Sequence, residues 1–201
     1  ELTQRLLGFS RTRKLAEETI KVNEAIDKSI RLLSRTLEKN IELETDLTNK
    51  KLFICVDPPQ LENALLNLCI NARDAMPDGG KIVISTRHYY QNDGSGSGDG
   101  FSLRLPEGNY VKISVTDTGS GIRSGDIQHV FEPFFTTKDV GKGSGLRLSM
   151  VFGFSQQSNG DCHVNSTPGE GTTVSMFFPA FTERRAIDRS PEDTKERQGK
   201  D

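Results

Sequence analysis

Cysteine is sparse in this chain, and nothing puts the three copies to work. Cys55, Cys69 and Cys162 are odd in number, and each sits inside an apolar pattern. They read as small core residues in a reducing compartment, not as a disulfide set. No metal-ligand spacing joins them to His88, His129 or His163. Excess charge is missing as well: the formal net charge is −2, which leaves no electrostatic footprint for nucleic acid. Apolar runs stop well short of the roughly 20 residues of a membrane-spanning helix. There is no signal-peptide pattern and no internal repeat. Position 1 is glutamate, and the opening residues read as mid-helix, so a piece of a longer protein is expected.

The 201 residues present suffice for one sizeable core plus an appendage. Leu2, Leu6 and Phe9 share a helical face over 2–15, which calls for a partner helix. Ile26, Ile30, Leu33 and Leu37 repeat at three and four, predicting a helix over 22–37. Residues 41–47 alternate like a half-buried strand, and 52–56 read as a short buried one. Asp57 then caps a helix whose first turn holds Pro58 and Pro59; it runs to about Met76 and stops at Pro77-Asp-Gly-Gly80.

Strands are predicted over 81–90 and 110–116, separated by a glycine- and serine-rich excursion at 91–100. Residues 123–143 lack periodicity. A helix over 145–158 and a hairpin of 162–166 with 172–178 close the pattern. Beyond Phe181, 12 of the last 19 residues are charged, six of each sign, which reads as a disordered linker. Helix and strand do not alternate regularly, so the expected class is α+β: a two-layer sandwich, one mixed sheet with helices on one face.

Four segments carry chemistry. On the 58–76 helix, Asn63, Asn67, Asn71 and Asp74 fall in a stripe about 80° wide at about 100° per residue. Leu61, Leu65, Leu68, Ala72 and Met76 form the main apolar face. Two asparagines at i and i+4 can aim side-chain oxygens at one hard cation, and Mg²⁺ shares few protein ligands with phosphates and water. Read blandly, the stripe is a solvated side. Asp117 ends an apolar strand and is followed by Gly119 and Gly121. A carboxylate there can accept from the exocyclic amine of adenine, while the glycines permit positive φ and close approach to a base. The same residues also make an ordinary turn.

Phe131, Phe134 and Phe135 lie within five residues of an irregular stretch that ends at Lys138. They read as a loop that folds over a ligand and brings a cation to phosphates, or as a plain hydrophobic plug. Gly141, Gly143 and Gly145 open the next helix, whose N–H groups favour anions. Each signal is weak alone. In this order, within one small domain, they spell an ATP site.

These residues resemble the catalytic and ATP-binding domain of bacterial sensor histidine kinases, over about residues 20 to 180. Asn67–Asn71 is similar to that family's N box, Asp117–Gly121 to its G1 box, Phe131–Lys138 to its F box and Gly141–Leu148 to its G2 box. The stretches Asn71–Pro77 and Phe131–Lys138 are especially similar to hybrid-type kinases, which often carry a receiver domain downstream. The resemblance implies a Bergerat-type sandwich, with ATP and Mg²⁺ as cofactors. It implies the metal on Asn71, and catalytic roles for Asn67 and Lys138. Nucleotide contacts are implied for Asn67, Asn71, Asp74, Asp117, Gly119, Gly121, Ile122, Phe131, Thr136, Thr137, Lys138, Gly143, Ser144, Gly145, Leu146 and Thr172.

It divides the chain into the end of a dimerisation and phosphoacceptor helix (1–18), a catalytic domain (19–182) and a linker (183–201). The implied partners are the phosphoacceptor domain of the same protein and a response regulator or receiver domain. A homodimer in the full-length protein and a cytoplasmic location are also implied. Two departures stand out. None of the three histidines fits the phosphoacceptor pattern, so this piece lacks its own substrate. The family's Gly-Leu-Gly-Leu reads here Gly145-Leu-Arg147-Leu; the arginine adds charge near the phosphates and bulk that is expected to hinder lid closure.

Three functions compete. The first transfers the γ-phosphoryl group to a histidine on another domain. The second hydrolyses ATP, as gyrase and heat-shock chaperones of the same fold do; it needs a glutamate one turn before the metal asparagine, where this chain has Asn67, which cannot act as a base. Glu62 lies more than a turn upstream and off the stripe. The third is a degenerate nucleotide-binding scaffold, for which only Arg147 speaks.

Overall fold

Alternating burial along two central strands sets the architecture. The computed structural model describes residues 16–37, 40–92, 103–136 and 144–181. The readings for 2–15, most of 91–100, 137–143 and 183–201 lie outside them. The elements are β1 (Glu18–Lys21), α1 (Val22–Thr36), β2 (Ile41–Leu47), β3 (Phe53–Val56), α2 (Pro58–Asp74), β4 (Gly80–Gln91), β5 (Gly108–Asp117), a 3₁₀ turn (Ile127–His129), α3 (Arg147–Gln157), β6 (Asp161–Thr167) and β7 (Gly171–Pro179). Five strands form one sheet in the order β2-β4-β5-β7-β6. Its β2–β4 pair is parallel and the other pairs are antiparallel, so the sheet is mixed and the class is α+β as expected.

Side chains alternate across a strand. On β5, Val111, Ile113 and Val115 face one way; on β7, Val174, Met176 and Phe178 do the same, and all six are buried. They join one core with Ile26 and Leu33 of α1, Leu61, Leu65 and Leu68 of α2, and Val151 and Phe154 of α3. The opposite face of the same strands is bound by polar cross-strand pairs. Ser114 and Ser175 lie 2.9 Å apart through their hydroxyls, as do Thr116 and Thr173, and Lys112 rests over the Phe177 ring. The helices therefore cover one face of the sheet.

The helix ends follow their sequence signals. Asp57 accepts from the Gln60 N–H at 3.1 Å, with prolines in the first turn of α2. Helix α2 ends at Asp74, two residues before the expected Met76, and Gly79 takes φ +91° in the turn that follows. Helix α3 begins at Arg147, two residues later than expected, because Gly145 adopts φ +64° and cannot belong to a right-handed helix. Helix α1 is pinned to the sheet by Asn23. Its amide donates to the Thr48 carbonyl at 2.8 Å and accepts from the buried Thr86 hydroxyl at 3.1 Å.

One element escaped the sequence reading. Strand β1 pairs antiparallel with β3, Glu18 opposite Val56 and Lys21 opposite Phe53, and the boundary expected between 18 and 19 falls inside it. Cys69 and Cys162 are buried and Cys55 is half-buried, all three unbridged. Burial pushes the Cys69 thiol up to about 12, which leaves no thiolate for chemistry. No described helix is long and apolar enough to cross a membrane.

The apolar face of α2 is thus a stability element and the polar stripe is not. Leu65→Ala, at a site with no exposed surface, is expected to cost about 2–5 kcal/mol by urea denaturation. Asn63→Ala, on the exposed edge of the same helix, should stay within about 0.5 kcal/mol. Equal losses would contradict this division of the helix.

Candidate active site

The row of side chains that fills the core does not end at the core's edge. Two residues beyond Val115 on the same face of β5 stands Asp117, and its register partner on β7 is Thr172. Both are buried. Beside them opens a cavity of about 350 Å³, walled by β5 and β7 below, by Leu68, Asn71, Ala72 and Asp74 of α2, and by Ser144, Gly145 and Arg147 at the start of α3. A volume of this order suits a small-molecule or cofactor ligand.

Asp117 is held by the backbone. Its Oδ1 accepts from the Gly119 N–H at 2.8 Å and from the Thr172 N–H at 3.2 Å, while Oδ2 accepts nothing among the described residues. Burial raises its pKa above the usual carboxylate range, and the Gly119 and Thr172 N–H groups offset part of that rise. Ser166 donates its hydroxyl to the Gly171 carbonyl at 2.8 Å and accepts the Ile122 N–H at 2.8 Å. The Thr172 hydroxyl, 2.9 Å from Ser166, is left to donate to it.

The glycines serve the protein's own packing. Gly121 has φ +69°, and a Cβ there would lie 2.1 Å from the Thr167 carbonyl oxygen. Gly119 brings its backbone against Ala75, where a Cβ would meet Ala75 at 2.8 Å. These glycines bring the Asp117 turn tightly onto α2 and the β6–β7 hairpin, a closer constraint than room for a base alone.

The aromatic segment divides. Phe131 stacks on Phe152 with ring centroids 5.1 Å apart, and Phe135 packs against the core and the cavity. Phe134 turns outward, 57% exposed at φ +69°. Its N–H donates to the Gly145 carbonyl at 2.9 Å. Across the cavity, α3 starts at Arg147 with Leu146 in the cap position and no side chain capping its first N–H groups, an arrangement that favours an anion.

Of the residues singled out from sequence, Asn71, Asp74, Asp117, Gly121, Ile122, Thr136, Ser144, Gly145 and Thr172 line this cavity together. Asn67, Gly119, Phe131 and Leu146 are not among the lining residues. Thr137, Lys138 and Gly143 lie outside the described residues. The sequence reading missed the apolar walls: Leu68, Ala72, Val115 and Val174 were visible only as core positions. It also missed where Arg147 goes. The guanidinium Nη1 sits 2.7 Å from Asp74 Oδ2 and 3.2 Å from Asn71 Oδ1.

Comparison with known proteins gives the family of this fold. The family described as histidine kinase-, DNA gyrase B-, and HSP90-like ATPase matches residues 56–182. The chain belongs to that family. Sensor kinase CckA of Brucella abortus (strain 2308) is 40% identical over 98% of this chain and 20% of its own length. Sensor histidine kinase ZraS of Escherichia coli (strain K12) is 32% identical over 90% of this chain and 35% of its own. The chain thus spans between a fifth and about a third of these curated relatives. Among solved structures, a mycobacterial sensor histidine kinase, MprB, aligns with a TM-score of 0.63 at 26% identity, over 82% of this chain and 98% of that one. Full-length ShkA, solved with AMPPNP, shares the fold with a TM-score of 0.67 at 23% identity, over 90% of this chain and 35% of that one.

The raised pKa of Asp117 makes a stability prediction. The folded chain holds this proton more tightly than the unfolded chain does. Its contribution favours the fold at low pH and is lost as pH rises from the ordinary carboxylate range through the raised value. Asp117→Asn keeps an acceptor for Gly119 and Thr172 and cannot ionise. Its melting temperature should exceed that of the wild type near pH 7, with the gap closing as pH falls towards about 4. A gap independent of pH would show that ionisation of Asp117 costs the fold nothing.

Proposed function

We propose that this chain is the ATP-binding catalytic module of a two-component sensor histidine kinase, which passes the γ-phosphoryl group of ATP to a histidine on a separate phosphoacceptor domain. One observation carries the choice of transfer over hydrolysis. Among the described residues, the cavity's acids are Asp74 and Asp117. The first is ion-paired with Arg73 and Arg147, and the second is held by two backbone N–H groups. One turn before Asn71 stands Asn67, an amide that cannot take a proton from water. A site without a base positions its substrates and neutralises their charge, which is what phosphoryl transfer to a supplied nucleophile needs.

The residues fit ATP. Asp117 Oδ2 remains for the adenine amine, and Leu68, Ala72, Ile122 and Val174 sandwich a flat ring. Thr172 orders the water or base edge beside Asp117. Gly143, Ser144, Gly145 and Leu146, together with the uncapped start of α3, receive the phosphates. The resemblance assigns Thr136, Thr137 and Lys138 to the phosphates as well, and Phe131 stacks on Phe152 of α3. When bound, ATP supplies the reactive phosphoryl group.

Asn71 and Asp74 are the oxygen donors suited to Mg²⁺; their chemistry fits the ion, although both already accept from Arg147. No group of three metal-ligating His, Cys, Asp or Glu side chains forms among the described residues. The reading extends to the parts that the resemblance implies. These are a phosphoacceptor and dimerisation domain in the same protein, a homodimer in the full-length protein, a response regulator or receiver domain as acceptor, and a cytoplasmic location.

Ligand at 100 times its Kd should stabilise the chain by about 2.7 kcal/mol, a melting shift of roughly 5–10 °C for a domain of this size. ATP should produce it. GTP should produce less, because Asp117 offers an acceptor where guanine presents a carbonyl. No shift with millimolar ATP and Mg²⁺ would remove the reading.

Incubated alone with γ-labelled ATP, the chain should take up no acid-labile label, since His88, His129 and His163 lie off any phosphoacceptor helix. Supplied with a phosphoacceptor domain, it should label that domain. Stable label on a histidine of the isolated chain would contradict the assignment.

A further inference from the structure

Asp74 carries two guanidinium groups, one on each oxygen. Arg73 Nη2 and Nε reach Oδ1 at 2.8 and 3.2 Å. Arg147 Nη1 takes Oδ2 at 2.7 Å, and the same nitrogen reaches Asn71 Oδ1 at 3.2 Å. Arg73 is a neighbour in sequence, and its contact is local. Arg147 comes from the first turn of α3, 73 residues on. Its side chain spans the cavity's phosphate-facing end to clip α3 onto α2. Asp74 and Arg147 are both partly shielded, with side chains 18% and 32% exposed, so water screens the pair less than it would a surface bridge.

A guanidinium nitrogen between an amide oxygen and a carboxylate oxygen stands where a divalent ion would have to stand to use both donors. The two cannot share the place. Mg²⁺ binds oxygen at about 2.0–2.1 Å in near-ideal octahedral geometry, and a second positive charge within hydrogen-bonding distance of the same oxygens repels it. Arginine is always charged at physiological pH and cannot be relieved by losing a proton. Its planar fork also suits phosphate oxygens as well as it suits carboxylate.

We propose that Arg147 is the resident cation of this site. It competes with Mg²⁺ for Asn71 and Asp74 and supplies positive charge to the phosphates itself, so the chain binds ATP with little dependence on the metal. The proposal rests on the reading of the cavity as an ATP site and goes beyond it by assigning what neutralises the phosphates. A guanidinium on a flexible stem at the first turn of α3 reaches α2 in the ligand-free chain. It needs only to rotate about its own side-chain bonds to face the nucleotide.

The test is calorimetric titration of the whole 201-residue chain with ATP, once in excess EDTA and once in excess Mg²⁺, for the wild type, Arg147→Gly and Arg147→Gln. For the wild type the two Kd values should agree within about threefold. In both variants ATP should bind at least about tenfold more weakly in EDTA than in Mg²⁺, because the metal must then supply the charge that Arg147 supplied. Arg147→Gln keeps a helix-compatible, uncharged side chain, so it separates loss of the cation from loosening of the first turn of α3. A glutamine variant that behaves as wild type while the glycine variant does not would overturn the proposal, since backbone freedom would then explain the effect. Equal metal dependence in all three proteins, with ATP still bound, would overturn it while leaving the ATP reading intact. Failure of every protein to bind ATP under either condition would overturn both.

Discussion

Two backbone N–H groups converging on Asp117 Oδ1 organise the floor of the site. The Gly119 N–H comes from the turn that leaves β5, and the Thr172 N–H from the start of β7. A buried carboxylate without partners would be costly. These bonds compensate it and, in the same act, fix the direction in which the chain leaves the sheet. Ser120 then reaches Ala75 on the end of α2, and Gly169 reaches back to Ser120. The β5 exit, the end of α2 and the β6–β7 turn thus share one junction. Gly171 belongs to it too, since a side chain there would drive a Cβ to 2.0 Å from the Asp117 carbonyl oxygen. The cavity has its shape because this junction has no slack.

Helix α2 gives the site its second half and divides its labour by angle. The residues that hold it to the sheet, Leu61, Leu65 and Leu68, turn inward, while Asn71 and Asp74 near its C-terminal end line the cavity. Helix α3 meets it there, with Val151 and Phe154 in the core and Arg147 in the cavity. One pair of helices thereby contributes both apolar packing and the charged end of the cavity, separated by one or two turns.

Much of this was legible in the chain itself. Alternation gave β2, β-branched apolar runs and turn residues gave β4, β5 and the β6–β7 hairpin, and the Asp57-Pro58-Pro59 signal gave the start of α2, because these features depend on near neighbours. Asp117 was legible as a candidate because a carboxylate ends a row of Val and Ile, although the same residues could make an ordinary turn; the other three segments decided it. Strand β1 was not legible: four residues with only Ile20 clearly apolar make no pattern, and its partner β3 lies more than thirty residues away. The parallel pairing of β2 with β4 was likewise beyond reach, since alternation identifies a strand and not its neighbour. Arg147 was seen as an anomaly in a glycine-rich run, but a long side chain can reach many places. Only the approach of α3 to α2 selects Asn71 and Asp74 as its partners.

The bond from the Phe134 N–H to the Gly145 carbonyl closes a ring of chain between them. Phe134 at φ +69° and Gly145 at φ +64° are its two hinge posts, fitted so closely that a Cβ on Gly145 would strike Phe134 backbone. With the ends tied, the entropy of closing such a ring grows only logarithmically with its length, about 0.6 kcal/mol for each doubling. Residues can be added or removed between the posts with little consequence for the cavity wall behind them. The posts themselves have no such latitude. Two backbone positions therefore frame the cavity wall that Phe135 and Gly145 contribute, and the wall's shape is indifferent to how long a chain joins them.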